Sequence, residues 1–195
     1  MLNQALRGYK SPRSHIAVLV RRGILIPLRR NLYLCRREGE LYSEYVIAYY
    51  LVPGSYISYE AALSHHNIIP ERVRLIKSAC TGRSRRFSNA TGRYAYIQLP
   101  ADYQSIGWHA YVMSDALVYR MATPEKALCD LILDTPRLRL QSARAARGYL
   151  LEHLRADPDE LAQFDLERFH ACTMAAHKKK ADLLHTLNFL SHEYS

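Results

Sequence analysis

Nine basic side chains and no acidic one occupy the first 37 residues: Arg7, Lys10, Arg13, Arg21, Arg22, Arg29, Arg30, Arg36 and Arg37. From Glu38 onward basic and acidic residues balance at 18 each, so the whole net charge of +9 resides in the first fifth of the chain. A guanidinium stays charged at any physiological pH and presents a planar fork of donors that matches a phosphate. A basic segment on a neutral body is the electrostatic footprint of a polyanion-binding surface, with duplex DNA the expected partner. Arg13, Ser14 and His15 begin a predicted helix, where side chains can reach base edges. Arg21 and Arg22 end that helix, and Arg29 and Arg30 follow at a predicted turn suited to phosphate or minor-groove contact. A second acid-free stretch, Thr81–Gly92 with Arg93 just after it, holds Arg83, Arg85 and Arg86. It reads as a loop that either extends the DNA footprint, meets an acidic partner, or is merely solvated.

Other chemistries find less support. The nine histidines include the adjacent pair His65-His66, whose side chains on a helix diverge by about 100° and do not readily share a metal. No HExxH occurs, and Cys35, Cys80, Cys129 and Cys172 lie more than forty residues apart without a CxxC couple, so no metal or cofactor is expected. The cysteines read as free thiols packed as small hydrophobes. Walker, GxGxxG and GxSxG signatures are missing, and no catalytic residue is assigned. Glu125-Lys126 resembles a nuclease acid–lysine couple only superficially: Thr123-Pro124 places Glu125 in the first turn of a helix, where it complements the dipole. The 15 tyrosines fall mostly within strand and helix patterns (Tyr45, Tyr49, Tyr50, Tyr94, Tyr96) and are expected to pack rather than stack on bases. A small nuclease with a basic gripping arm, and a protein-binding module, remain the alternative functions.

The basic residues must be held by the elements around them. Ser11-Pro12 reads as an N-cap with proline at the first helical position, Ile16, Leu19 and Val20 recur at helical spacing, and Gly23 closes a helix over 12–22. Ile24–Leu28 and Leu32–Cys35 flank Arg29-Arg30-Asn31 as a β-hairpin, with Pro27 marking an edge or a bulge. Helix followed directly by an Arg-tipped hairpin is the order of a winged helix-turn-helix domain, here 1–37. Only Met1–Tyr9 precedes the helix. Leu2, Ala5 and Leu6 suit one short supporting helix, so the domain is expected to be shortened at its front, or completed by a second subunit in a dimer on DNA.

Residues 38–195 read as an α+β body. Helices are expected at about 41–51 (Val46, Ile47 and Tyr50 inward), at 58–66, from Thr123, at 142–154, from Asp157, and to the end. Strands are expected at 56–57, 73–77, 94–99, 108–113 and 117–121. Strands in the middle and helices at the end define the class. No apolar run reaches bilayer length and MLNQALRGYK lacks an apolar core, so a cytoplasmic protein without membrane contact is expected.

Three strings carry a resemblance. Leu19-Val20-Arg21-Arg22-Gly23-Ile24-Leu25 with Arg30-Asn31-Leu32-Tyr33, then Pro53-Gly54-Ser55-Tyr56-Ile57-Ser58 with Ala61-Ala62-Leu63, then Thr123-Pro124-Glu125-Lys126-Ala127-Leu128-Cys129-Asp130-Leu131, resemble in order and spacing the AbiEi-type antitoxins. Asn31 stands where the family usually has glycine. The resemblance covers about residues 12–135. It implies a winged helix that binds inverted repeats upstream of its own toxin–antitoxin operon as an autorepressor of a phage-defence type. It also implies a mixed α/β antitoxin domain that neutralises a nucleotidyltransferase-like toxin.

Overall fold

Local signals set the first elements as the sequence predicts. In the computed structural model, which describes residues 11–36, 42–114 and 117–194, helix α1 spans Pro12–Arg21. Gly23 takes φ +71, and the amides of Gly23 and Ile24 bond the carbonyls of Val20 and Leu19. This double closure is a Schellman cap, which a residue with a Cβ would strain. Ser11 occupies the N-cap but does not cap with its side chain; its hydroxyl bonds that of Ser14 at 2.8 Å. The expected helix at Leu2, Ala5 and Leu6 lies outside the described residues.

Strands β1 (Leu25–Arg29) and β2 (Leu32–Cys35) form the antiparallel hairpin. The register shifts between Pro27 and Arg29, the bulge that proline at that position demands. Asn31 provides the left-handed turn residue at φ +62, the conformation asparagine tolerates best after glycine.

The chain then builds a mixed α+β body. Its order is helix α2 (Glu44–Leu51), strand β3 (Tyr56–Ile57), helix α3 (Tyr59–His65), strands β4 (Leu75–Cys80), β5 (Arg85–Asn89) and β6 (Gly92–Gln98), and the short helix α4 (Ala101–Gln104). Strands β7 (Trp108–Ser114) and β8 (Leu117–Ala122) and helix α5 (Pro124–Asp134) follow. The six strands lie in the order β5-β6-β4-β3-β8-β7. At the centre β3 and β4 run antiparallel, and each takes a hairpin alongside it: β6 joins β4 in parallel, and β8 joins β3 in parallel. The two halves thus repeat the same strand directions outward from the β3–β4 pair.

The stretch Thr81–Gly92, expected to be a loop, contains a strand over Arg85–Asn89 and begins another at Gly92. Arg85–Asn89 pairs with Gly92–Tyr96 across a two-residue turn. The reason is tertiary: one apolar residue, Phe87, among five gives no alternating signal, but β6 supplies a ladder for it to complete. Asn89 shapes the turn by accepting from the amide and hydroxyl of Thr91 at 2.9 and 2.6 Å. Helix α2 buries Ile47, Ala48 and Leu51 rather than the expected Val46, Ile47 and Tyr50 line. The predicted 142–154 helix is α-helical over Ala143–Arg147 (α6) and widens to π-helical pitch over Gly148–His153.

Strand alternation assigns the two faces. Ile57, Ser78, Tyr96 and Met121 face α2, where the Tyr96 hydroxyl donates to the Ala48 carbonyl. Tyr56, Lys77 and Ala79 face α3 and α5. Helices α7 (Pro158–Leu161), α8 (Leu166–Ala175) and α9 (Lys180–Tyr194) complete the outer layer, with α8 against α5 and α9 against α6 and α8. Of the tyrosines expected to pack, Tyr94 and Tyr96 are fully buried and Tyr45, Tyr49 and Tyr50 half-buried; Tyr56, Tyr59 and Tyr103 are fully buried as well. Cys80, Cys129 and Cys172 are buried as expected, whereas Cys35 at the end of β2 is exposed.

A buried ion pair locks β3 to α5. Lys126 and Asp130, one turn apart on α5, meet at 3.0 Å with both side chains fully buried. The other Asp130 oxygen accepts from Ser58 at 2.6 Å and Tyr56 at 3.0 Å, and Lys126 also donates to the Tyr103 carbonyl at 3.1 Å. Burial first, and the Asp130 charge second, push the Tyr56, Tyr59 and Tyr103 phenols well up, so all three stay protonated. Gly107 must be glycine here: at φ +74 its missing Cβ would lie 2.8 Å from the Lys126 Cβ. Glu125 is buried beside the pair and accepts from the Asp165 amide at 2.9 Å, with Arg168 at 3.5 Å. The acid–lysine couple that superficially resembles a nuclease motif is therefore packed inside the body.

Candidate nucleic-acid interface

The hairpin does not stand free of the body. Leu28, facing inward from β1, is buried and belongs to the main apolar core. Its carbonyl accepts from Asn89 Nδ2 on β5 at 3.1 Å, and β1 packs along β5. Leu28, with the half-buried Leu32 and Leu34 of β2 packed against the same core, and one hydrogen bond thus fix the Arg29-Arg30 tip against the edge of the six-stranded sheet.

That docking decides what the second arginine group can do. On β5 the side chains alternate, and Arg85, Phe87 and Asn89 share one face. Phe87 and Asn89 identify it as the hairpin face: Phe87 meets the Tyr96 ring edge-on at 5.8 Å, and Asn89 holds Leu28. Burial drives the Tyr96 phenol up, with Tyr94 and Cys80 adding to this, while Arg29 and Arg85 act on it in the opposite sense. The charges of Arg29 and Arg85 therefore converge on one phenol from separate segments. Arg83 is next to them, since its carbonyl accepts from Arg85 Nε at 3.2 Å. Arg86 and Arg93 point to the opposite side of the sheet with Ser88. The four arginines that sequence groups together divide between two surfaces.

Arg13, Ser14, Arg21, Arg22, Arg29 and Arg30 are exposed, and His15 is half-buried. Arg13 and Ser14 mark the first turn of α1, and Arg21 and Arg22 its end, about 13 Å along the helix axis at 1.5 Å per residue. The structure docks the strand that ends at Arg29 along β5, which carries Arg85, and places Arg13 at the far end of α1 from Arg22. None of these exposed arginines has a carboxylate within ion-pair distance among the described residues. Ile16, Leu19 and Val20 are only half-covered, and α1 buries no residue completely. Sequence reasoning missed the Leu28–Asn89 tether. The Asn89-Ala90-Thr91-Gly92 turn chemistry was its visible signal.

Such a surface can neutralise several phosphates along one strand and offers a helix and a hairpin tip to the grooves. No family model matches the chain, and no curated protein matches it. Among the described residues no helix is long and apolar enough to cross a membrane.

Proposed function

We propose that this chain is a DNA-binding transcriptional autorepressor and the antitoxin of a toxin–antitoxin operon, in which α1 and the β1–β2 hairpin act as a winged helix. The observation that carries the reading is the docking of the hairpin along β5 through Leu28 and Asn89, which sets the exposed Arg29 and Arg30 at the sheet edge whose hairpin-side face also carries Arg85. Arg13, Ser14 and His15 read bases from α1; Arg21, Arg22, Arg29 and Arg30 hold phosphates or enter the minor groove. One small module gives limited specificity, so two copies bind two half-sites of an inverted repeat. The antitoxin half of the proposal, with a nucleotidyltransferase-like toxin as partner and a cytoplasmic site of action, rests on the resemblance to AbiEi-type antitoxins. The nuclease alternative gains nothing from Glu125 and Lys126, both of which are buried.

The test is a binding titration on operator DNA with Arg13→Ala and with the Arg29→Ala, Arg30→Ala double variant. Arg13→Ala relaxes sequence preference. The double variant weakens all sequences alike and flattens the salt dependence by about one unit for each phosphate that is no longer neutralised. If both leave the isotherm unchanged, the interface is elsewhere.

A further inference from the structure

On the side of the sheet away from Tyr96, strand β4, the segment leading into it, α3 and the end of the π-helical turn border a solvent-open cavity of about 440 Å³. That volume lies within the range of small-ligand sites, about 300–1,000 Å³. Its floor is apolar, formed by the buried Ile69 with Leu75 and Leu154. Arg72, Arg74 and Arg93 stand around it, and none of the three has a carboxylate within ion-pair distance among the described residues.

The carboxylates that line the cavity are already engaged. Glu60 holds Lys77 at 3.0 Å, and Glu71 holds Arg155 at 3.1 Å. The residual charge of the wall is therefore positive. Arg93 and Leu75 also line an adjoining cavity of about 280 Å³, whose second guanidinium is Arg86. Strand alternation, which sends Arg85 to the hairpin face, delivers Arg86 and Arg93 to this one. The His153 ring, stacked on Tyr149 at 5.5 Å with 20° between the planes, also lines the cavity.

We infer that this cavity binds a nucleoside phosphate, with the base laid on the Ile69–Leu75–Leu154 floor and the phosphates gripped by Arg74 and Arg93. Each half of the ligand answers one feature. Guanidinium forks suit phosphate oxygens, and a floor without base-reading polar groups takes a flat ring by its face. This site is independent of the DNA-binding reading, since it uses none of the residues on the hairpin face.

Calorimetric titration of the full chain with ADP, with adenosine and with inorganic pyrophosphate tests the inference. The proteins compared are the wild type, the Arg74→Ala, Arg93→Ala variant and the Arg29→Ala, Arg30→Ala variant. ADP is expected to bind saturably at one site, more tightly than adenosine or pyrophosphate. Removing two charge-assisted hydrogen-bonding groups weakens it at least about tenfold in Arg74→Ala, Arg93→Ala. The hairpin variant retains wild-type affinity. The inference is overturned if ADP shows no saturable binding, or binds the cavity variant as it binds wild type. It also fails if the hairpin variant loses ADP equally, which would mean general polyanion adhesion, or if pyrophosphate binds as tightly as ADP.

Discussion

Asn89 donates its side-chain amide to the Leu28 carbonyl at 3.1 Å and so joins the N-terminal hairpin to the edge strand of the body. The join brings the strand that ends at Arg29 against the strand that carries Arg85, more than fifty residues later in sequence. It also makes the position of the Arg29-Arg30 tip depend on the body's packing, which can be tested from both sides of the joint.

Arg85 and Arg86 are adjacent in sequence and face opposite ways. On the proposed DNA face, Arg85→Ala should weaken operator binding about fivefold to tenfold and reduce the salt slope by about one unit, as removal of one phosphate-neutralising charge does. Arg86→Ala should change neither. A fluorescence-anisotropy titration of both variants across a salt series checks this, and equal effects would remove β5 from the interface.

Leu28→Ala empties the hairpin's anchor in the core. The expected cost is about 2–3 kcal/mol, at the low end for a buried leucine because the site lies near the sheet edge. The hairpin should loosen before the body unfolds. Limited trypsin digestion read by mass spectrometry should show cleavage after Arg29 or Arg30 severalfold faster in Leu28→Ala. Asn89→Ala should give a smaller increase. An unchanged cleavage rate in both would show that neither residue holds the tip.

Breaking the Lys126–Asp130 pair from one side leaves a buried charge alone. Lys126→Met or Asp130→Leu should each cost about 3–5 kcal/mol in urea denaturation, and the double variant should cost less than the sum, recovering the part owed to the lone charge but not the hydrogen bonds that Tyr56 and Ser58 lose with Asp130. Additive losses in the double variant would mean that the pair is not coupled.

His65 packs edge-on against Tyr45 at 5.5 Å and Tyr111 at 5.9 Å. Burial first, and His66 second, lower its pKa below the ordinary 6.5. The unfolded chain then takes the proton before the folded one as pH falls. Stability is therefore full above about pH 6.5 and declines through the window between the unfolded and the lower folded value. Thermal melts between about pH 7.5 and pH 5.5 should show a smaller acid loss in His65→Gln than in wild type. Identical slopes would exclude His65 as a contributor.

The sequence shows those parts of the molecule whose signals are local. Pro12 and Gly23 bound α1 within a residue of expectation, Pro27 marks its bulge, and Thr123-Pro124 starts α5. Strand β5 escaped because its polarity hides its period, and only its ladder with β6 makes it a strand. Taking it for a loop also hid the division of the arginines, since a loop has no alternating faces. Lys126 and Asp130 have the spacing of an ordinary surface pair on a helix. Nothing within their neighbourhood reveals that Tyr56, Ser58 and Tyr103, from distant segments, enclose them.

Operator recognition itself is tested by a gel-shift titration of the wild-type chain on the DNA upstream of its own gene. Scrambled DNA of equal length serves as the control, at about 50 and about 200 mM salt. The predicted result is preferential, strongly salt-sensitive binding to the upstream DNA in two steps, one for each half-site. Equal weak binding to both DNAs would contradict it, and would reduce the arginine face to a general grip on polyanions.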